Sequence, residues 1–390
     1  MTRVVIAPNN VANFPEGGGH FWVYMQYVTG LRRLGCDVIW LERVRSSGDP
    51  SEDRSLQHRL VERLERYGMG ARPVFYTGGD IPPALEPELA GAELLLNFQY
   101  DAGPELLARF PRTALIDIDP GLLQHWIAQG EIKPAAHDLY FTTGETVGLP
   151  GSRTPDAGLI WQPIRPPVDL DSWPCVPAPS AAPFTTVSSW MGGVDGEWVS
   201  DGDGGFYDNN KRVAFLRVLE LPERTRRSFE LALCLDESAE SQARAEQQAY
   251  ADYRGDRADR LALESHGWRV RHAYEVAGSP ERYQRYIRAS RGEFSCVKPS
   301  CVRFQNAWIS DRTLCYLASG RPALVEDTGP SAFLPSDEGL LRFRDLDEAV
   351  AAVERVEADY ARQCQAARAL AETHFDARKV LAGLIDRALS

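Results

Sequence analysis

A chain of 390 residues is too long for one core and suits two α/β domains of about 180 residues each. Charged residues make up 25% and hydrophobic residues 44%, an ordinary balance for a globular protein. The formal net charge of −12 argues against a nucleic-acid partner, because a phosphate-backbone binder needs a basic surface. No window of 18 apolar residues occurs, so no membrane-spanning helix is expected. The start, Met1-Thr-Arg-Val-Val-Ile-Ala-Pro8, reads as a strand and not as a signal peptide. Seven cysteines without CxxC spacing read as reduced thiols of a cytoplasmic protein and not as a metal cluster.

In chain order, Arg3–Ala7 is an apolar strand, followed by a loop ending in Gly17-Gly18-Gly19-His20. A helix with Tyr24, Val28, Leu31 and Leu34 on one face closes at Gly35, and Cys36–Leu41 is the second strand. Strand, glycine loop, helix and strand within about forty residues form the opening βαβ unit of a doubly wound sheet. A charged helix is expected near 52–68, with strands at Leu94–Asn97, Thr113–Asp117 and Asp138–Thr142. From about 150 to 183 periodicity disappears and prolines crowd in, and 166–183 reads as a linker between domains. The second domain opens at Phe184–Trp190 and continues through a helix from Asn209, a strand at Phe229–Cys234 and a long charged helix. Strands at Trp268–Arg271 and Gly292–Val297 follow, and 346–390 is helical. The expected domains are 1–165, 184–365 and a terminal helix, 366–390.

The most informative stretch is 310–329. Ser310 or Asp311 caps a short helix whose apolar face is Leu314, Leu317 and Ala318, and Gly320 ends it in the left-handed conformation. Pro322 opens the buried strand Ala323–Val325, which stops at the polar turn Glu326-Asp-Thr-Gly329. A helix N-terminus and a loop beyond a strand's carboxyl end make an anion-binding corner suited to a diphosphate.

This segment resembles the donor site of the GT-B glycosyltransferases, in which a helix ending Ala-x-Gly-x-Pro and an apolar strand lie under a nucleotide diphosphate sugar. The resemblance implies two Rossmann-like doubly wound domains facing a cleft, with C-terminal helices crossing back to the first domain. Cys315 stands where the family carries a ribose-binding Glu, and Asp311 is the nearest substitute. The N-terminus is a second match: His20 and Gly35 keep the spacing of the inverting enzymes, with Val23 in place of a family proline. The resemblance makes His20 the general base, with Asp117 or Asp119 as its orienting carboxylate. His20 follows three glycines at a helix start, where the dipole favours the neutral imidazole that a base requires.

Expected donor contacts are Gly19, Lys211, Lys298, Arg303, Asp311, Arg312, Asp327, Thr328 and Gly329, with the cations on the diphosphate. Lys211 and Asp327 stand where family members carry diphosphate and sugar ligands. Trp22 and Trp190 are expected to wall an acceptor pocket, the alternative being core, and Trp198 is a further candidate. Asp117-Ile-Asp119 and Asp201-Gly-Asp203 match the DxD of metal-dependent glycosyltransferases, but such spacing is common at turns, so no metal is expected. The glycine-rich stretch 192–205 reads as a donor-side lid or a surface loop. The implied function is metal-independent, inverting transfer of a sugar from a nucleotide diphosphate donor to a small-molecule or lipid-like acceptor, in natural-product or glycoconjugate biosynthesis. That reading needs no cofactor beyond the nucleotide sugar and leaves a homodimer open. The alternatives are a nucleotide-sugar 2-epimerase on the same fold and a sugar-binding protein without chemistry.

Overall fold

A computed structural model describes all residues except 70–72, 80, 193–195, 203, 242–252 and 336. The chain divides into two compact units. The first comprises Met1–Ser172, Phe304–Asp311 and Thr373–Ser390; the second comprises Trp173–Arg303 and Arg312–Glu372. Both are parallel sheets flanked by helices, as the alternating pattern predicts.

In the first unit the strands are β1 (Arg3–Ala7), β2 (Asp37–Arg43), β3 (Val74–Tyr76), β4 (Leu94–Asn97), β5 (Thr113–Asp117), β6 (Leu139–Thr142) and β7 (Trp161–Pro163). They lie in the order β3-β2-β1-β4-β5-β6-β7, with Val4 in register with Val38 on one side and Leu94 on the other. Val4 to Ala7 and Leu94 to Leu96 are wholly buried, as strands covered on both faces must be. Sequence order reverses between β1 and β4, so the loops after these strands border the crevice where α/β sheets bind ligands.

The second unit repeats the plan with β8 (Phe184–Ser189), β11 (Phe229–Cys234), β12 (Arg269–His272), β13 (Gly292–Ser295), β14 (Ala323–Glu326) and β15 (Leu340–Phe343). Their order is β12-β11-β8-β13-β14-β15, and here the reversal falls between β8 and β13. Two short strands, β9 (Trp198–Ser200) and β10 (Phe206–Asp208), pair antiparallel. They occupy part of the stretch read from the sequence as a glycine-rich loop. Gly193, Val194, Asp195 and Asp203 of that stretch, and part of the long charged helix expected after Cys234, lie outside the described residues.

The proline-rich stretch is in part structured. Val168 forms a β-bridge with Asp376, and its N–H donates to Phe375 O at 2.8 Å. Asp169 N–H donates to the buried Gln26 side chain at 2.7 Å, and the Asp169 carboxylate takes the Arg33 guanidinium. The final helix, Ala377–Leu389, packs on the helix Gly18–Arg33 within the first unit. Gly30 permits this approach: a Cβ there would sit 2.5 Å from Leu381 Cδ1 and 2.7 Å from Ala377 Cβ. Gly30→Val should therefore lower stability by about 1–3 kcal/mol, against a few tenths gained in helix propensity. An unchanged urea midpoint would mean that the final helix is not seated on this face.

Candidate functional site

The first candidate site is the β1 loop and the helix start behind it. His20 lies in the first turn of Gly18–Arg33, its ring 5.8 Å from Phe14 and 5.2 Å edge-on from Tyr24. Its Nε2 is 2.7 Å from the carbonyl oxygen of Asn9. A carbonyl can only accept, so Nε2 carries the hydrogen and Nδ1 keeps the lone pair. Burial holds His20 below the usual imidazole range, while the Asn9 contact and the Asp119 charge pull it partly back. The imidazole is therefore neutral at neutral pH. Its orienting partner is a backbone carbonyl, where the sequence reading expected a carboxylate.

The Asn9 carbonyl belongs to a loop fixed from several sides. Gln99, after β4, donates to Pro8 O at 2.8 Å, and Asn13 and Arg45 exchange two hydrogen bonds at 2.7 and 2.9 Å. Asn10 takes the left-handed conformation at φ 61°, and its buried Oδ1 has no partner. Glu42, wholly buried at the end of β2, accepts from Ala12 N–H at 2.7 Å and Trp40 Nε1 at 2.8 Å. Nothing in the sequence reading singled out Glu42.

Asp117 and Asp119 differ in what they touch. Asp117 is wholly buried at the end of β5 and accepts from Gln124 Nε2 and Thr142 Oγ1, both at 2.7 Å, and from Asp119 N–H at 2.9 Å. Burial pushes its carboxyl up to about 6, against those hydrogen bonds. It ties the β5 loop together and makes no contact with His20. Asp119 is exposed and reaches His20 through its charge. The segment Phe304–Asp311 packs against this loop: Asn306 Nδ2 donates to Pro120 O at 2.8 Å, and Phe304 fills the space a Gly121 Cβ would need. Gln305 and Ala307 in that segment are left-handed, at φ 51° and 58°. Asp311, expected near a donor ribose, lines a small cavity in the first unit with Tyr27, Thr143 and Trp308.

The second candidate site is at the carboxyl ends of β8, β13 and β14. The helix Asp311–Ala318 and β14 form as predicted, with Gly320 left-handed at φ 68°. In the turn after β14, Gly329 N–H donates to Asp327 Oδ1 at 2.9 Å, and Gly329 sits at φ 113°, which only glycine adopts without strain. Arg342 donates to Gly329 O at 3.0 Å. Arg342 and Arg344 line a cavity of about 390 Å³ with Asp327, and neither arginine was read from the sequence.

Lys298, after β13, is 2.7 Å from Glu197. Lys211 is half-buried at the start of the helix Lys211–Leu216, behind Asn210. The buried pair Asn209 and Asn210 organises the loops around these lysines. Asn210 Oδ1 accepts from Gly192 and Glu197 N–H at 2.7 and 3.0 Å, and Asn209 Oδ1 accepts from Ser300 N–H at 2.8 Å. A NN pair before a helix is a cap signal, but which loops it would hold is not local information.

Three expectations are corrected by burial. Trp22 is 1% exposed, edge-on to Tyr67, and Trp190 is wholly buried with Nε1 on Asp259 at 2.8 Å, so both are core and not pocket walls. Arg312 does not face a diphosphate: it is 8% exposed and spends its guanidinium on Glu293 at 2.8 Å and Val187 O at 2.9 Å. Burial opposes that charge, but Glu293 holds it well above the usual range. Arg303 is exposed and stacks over Tyr207 at 3.9 Å. Thr328 is buried in the turn, Gly19 is half-buried in the first helical turn, and Trp198 is exposed. Asp201 accepts from Gly205 N–H at 2.9 Å within the β9–β10 turn; its DxD partner Asp203 lies outside the described residues. Among the described residues no cluster of three or more metal-ligating side chains occurs, and no helix is long and apolar enough to cross a membrane.

Burial pushes the Glu42 carboxyl up to about 7. An unfolded glutamate loses its proton near 4.5, so between that pH and about 7 only the folded chain still holds it. The contribution of Glu42 to stability therefore falls as pH rises through this window. Glu42→Gln cannot ionise and should gain on the wild type by up to about 3 kcal/mol between pH 5 and 8, whatever its constant offset. Parallel urea-stability profiles for the two proteins would overturn this assignment.

No protein-family model matches the chain, and no curated protein matches it. Solved structures do. Sucrose-phosphate synthase from Thermosynechococcus elongatus is 14% identical with a TM-score of 0.54, covering 100% of this chain and 99% of its own. HepE from Anabaena, solved in complex with UDP and glucose, is 10% identical with a TM-score of 0.57 over 99% of each chain. A glycosyltransferase of avilamycin A biosynthesis is 14% identical with a TM-score of 0.53, covering 100% of this chain and 97% of its own. Two Rossmann-like units in one chain, matched end to end by glycosyltransferases, give this protein the GT-B fold.

Proposed function

We propose that the protein is a glycosyltransferase that moves a sugar from a nucleotide diphosphate to a small-molecule acceptor, with inversion, without a metal, and with His20 as base. The observation that carries this reading is the neutral imidazole with its hydrogen fixed on Nε2 by Asn9 O, which leaves Nδ1 free to take a proton. The acceptor hydroxyl gives its proton to Nδ1 as its oxygen bonds to the anomeric carbon. The bond from that carbon to the diphosphate breaks, and its electron pair leaves with the diphosphate. Positive charge for the leaving group lies in the second unit, with Lys211 at a helix start, Arg342 on β15 beside the Asp327–Gly329 turn, and Lys298, which would exchange Glu197 for the diphosphate. Preorganised donors of this kind can do the work of a bound cation. The fold and the glycosyltransferase neighbours support the general class. A cytoplasmic setting fits the free cysteines.

Two outcomes follow. A nucleoside diphosphate should raise the melting temperature at concentrations where the monophosphate does not, since binding to the folded state adds RT ln(1 + [L]/Kd). Equal shifts for the two would remove the diphosphate corner. His20→Ala, assayed with excess EDTA present, should turn over about a hundredfold slower, with donor affinity nearly unchanged and the acidic limb of the pH profile lost. A nearly active variant would make the imidazole a pocket wall, and loss of wild-type activity on chelation would require a metal. Consumption of the nucleotide sugar without any acceptor would identify an epimerase.

A further inference from the structure

The second unit carries a cavity of about 640 Å³ away from the donor corner. Gly320 and Arg321, which line it, precede β14, whereas Asp327–Gly329 follow that strand at its other end. One wall is a stripe of the helix Tyr360–Leu370, with Tyr360, Cys364 and Arg368 spaced one turn apart; the facing wall is the segment 175–180. The volume lies within the range of small-molecule sites, and the exposed lining surface is mainly apolar, bordered by three arginines.

The charge of this lining is unbalanced. Arg321 is 2% exposed, its Nη2 donates to Arg288 O at 2.6 Å, and its Nε has no partner. Among the described residues no carboxylate pairs with it. Ser319, next to it in the lining, is wholly buried with its Oγ unpartnered. The other lining arginines have carboxylate partners: Arg291 pairs with Glu357 at 2.8 Å, a carboxylate it shares with Arg227, and stacks on Tyr360, and Arg368 pairs with Glu372 at 2.7 Å. A buried guanidinium without an anion is costly to the fold, and burial holds Arg321 below the usual arginine range. An anion brought into the cavity would relieve that cost.

We propose that this trough is a second ligand site, distinct from the donor corner, for a small amphiphile with one carboxylate and an unbranched apolar tail. The carboxylate compensates Arg321, and the tail lies along the helix stripe between Tyr360 and Ala369. The proposal does not depend on the glycosyltransferase reading, because its ligand and residues are separate.

The test is calorimetric titration of the full chain with decanoate below its micelle concentration, beside decan-1-ol and decyltrimethylammonium. Decanoate should bind at least tenfold more tightly than the other two. Arg321→Met keeps the bulk and removes the charge, and should abolish that preference. Because a buried arginine can matter for folding, Ala369→Trp provides the second variant: Ala369 is exposed at the rim, so a Trp narrows the trough without entering the core. It should weaken decanoate at least tenfold while the melting temperature stays within a few degrees. Equal affinity for decanoate and decanol, or decanoate binding untouched by Ala369→Trp, would overturn the site.

Discussion

The carbonyl oxygen of Asn9 is the constraint on which the proposed chemistry of the first unit rests. It leaves the sheet at the carboxyl end of β1 and accepts from His20 Nε2, so one backbone atom decides which imidazole nitrogen holds a hydrogen. That atom could not serve if the loop were loose. Gln99 and Glu42 hold it from neighbouring strands, one at Pro8 and the other at Ala12. Asn10 between them is left-handed, a conformation that asparagine adopts more readily than most residues. A carboxylate in the same place would orient the ring too, but would also raise its basicity. A carbonyl orients it at less electrostatic gain, which suits a base that must be neutral before it acts.

Much of the fold was legible because it is written in local patterns. Apolar strands, capped helices and the glycines at 35 and 320 follow from residues a few positions apart, and both sheets formed around them. The strands that were not read are short or at sheet edges: Val74–Tyr76 and Trp161–Pro163 carry too few residues to set a period, and Leu340–Phe343 is an edge strand. Trp198–Ser200 and Phe206–Asp208 are hidden among glycines, which point to loops.

The candidate site was legible only in part, and the reason is again range. His20 and the Asp327–Gly329 turn lie near strand ends that the pattern predicts, and Lys211 opens a predicted helix. What each side chain touches depends on residues far along the chain. Arg312 on its helix finds Glu293 on β13, Trp190 finds Asp259, and Glu42 finds Ala12, thirty residues earlier. Burial decides between a binding cation and a core ion pair, and between a pocket wall and a core indole. No local motif encodes it.

The stereochemistry of transfer bears most directly on a base at His20. In the proposed mechanism an acceptor deprotonated by Nδ1 would attack the anomeric carbon from the face opposite the diphosphate, so a single displacement would invert that centre. The measurement is the anomeric coupling constant of the first-formed product by proton NMR, taken before any spontaneous mutarotation, with an α-linked nucleotide sugar as donor. The account predicts a β-linked product. An α-linked product, with retention at the anomeric carbon, would contradict it.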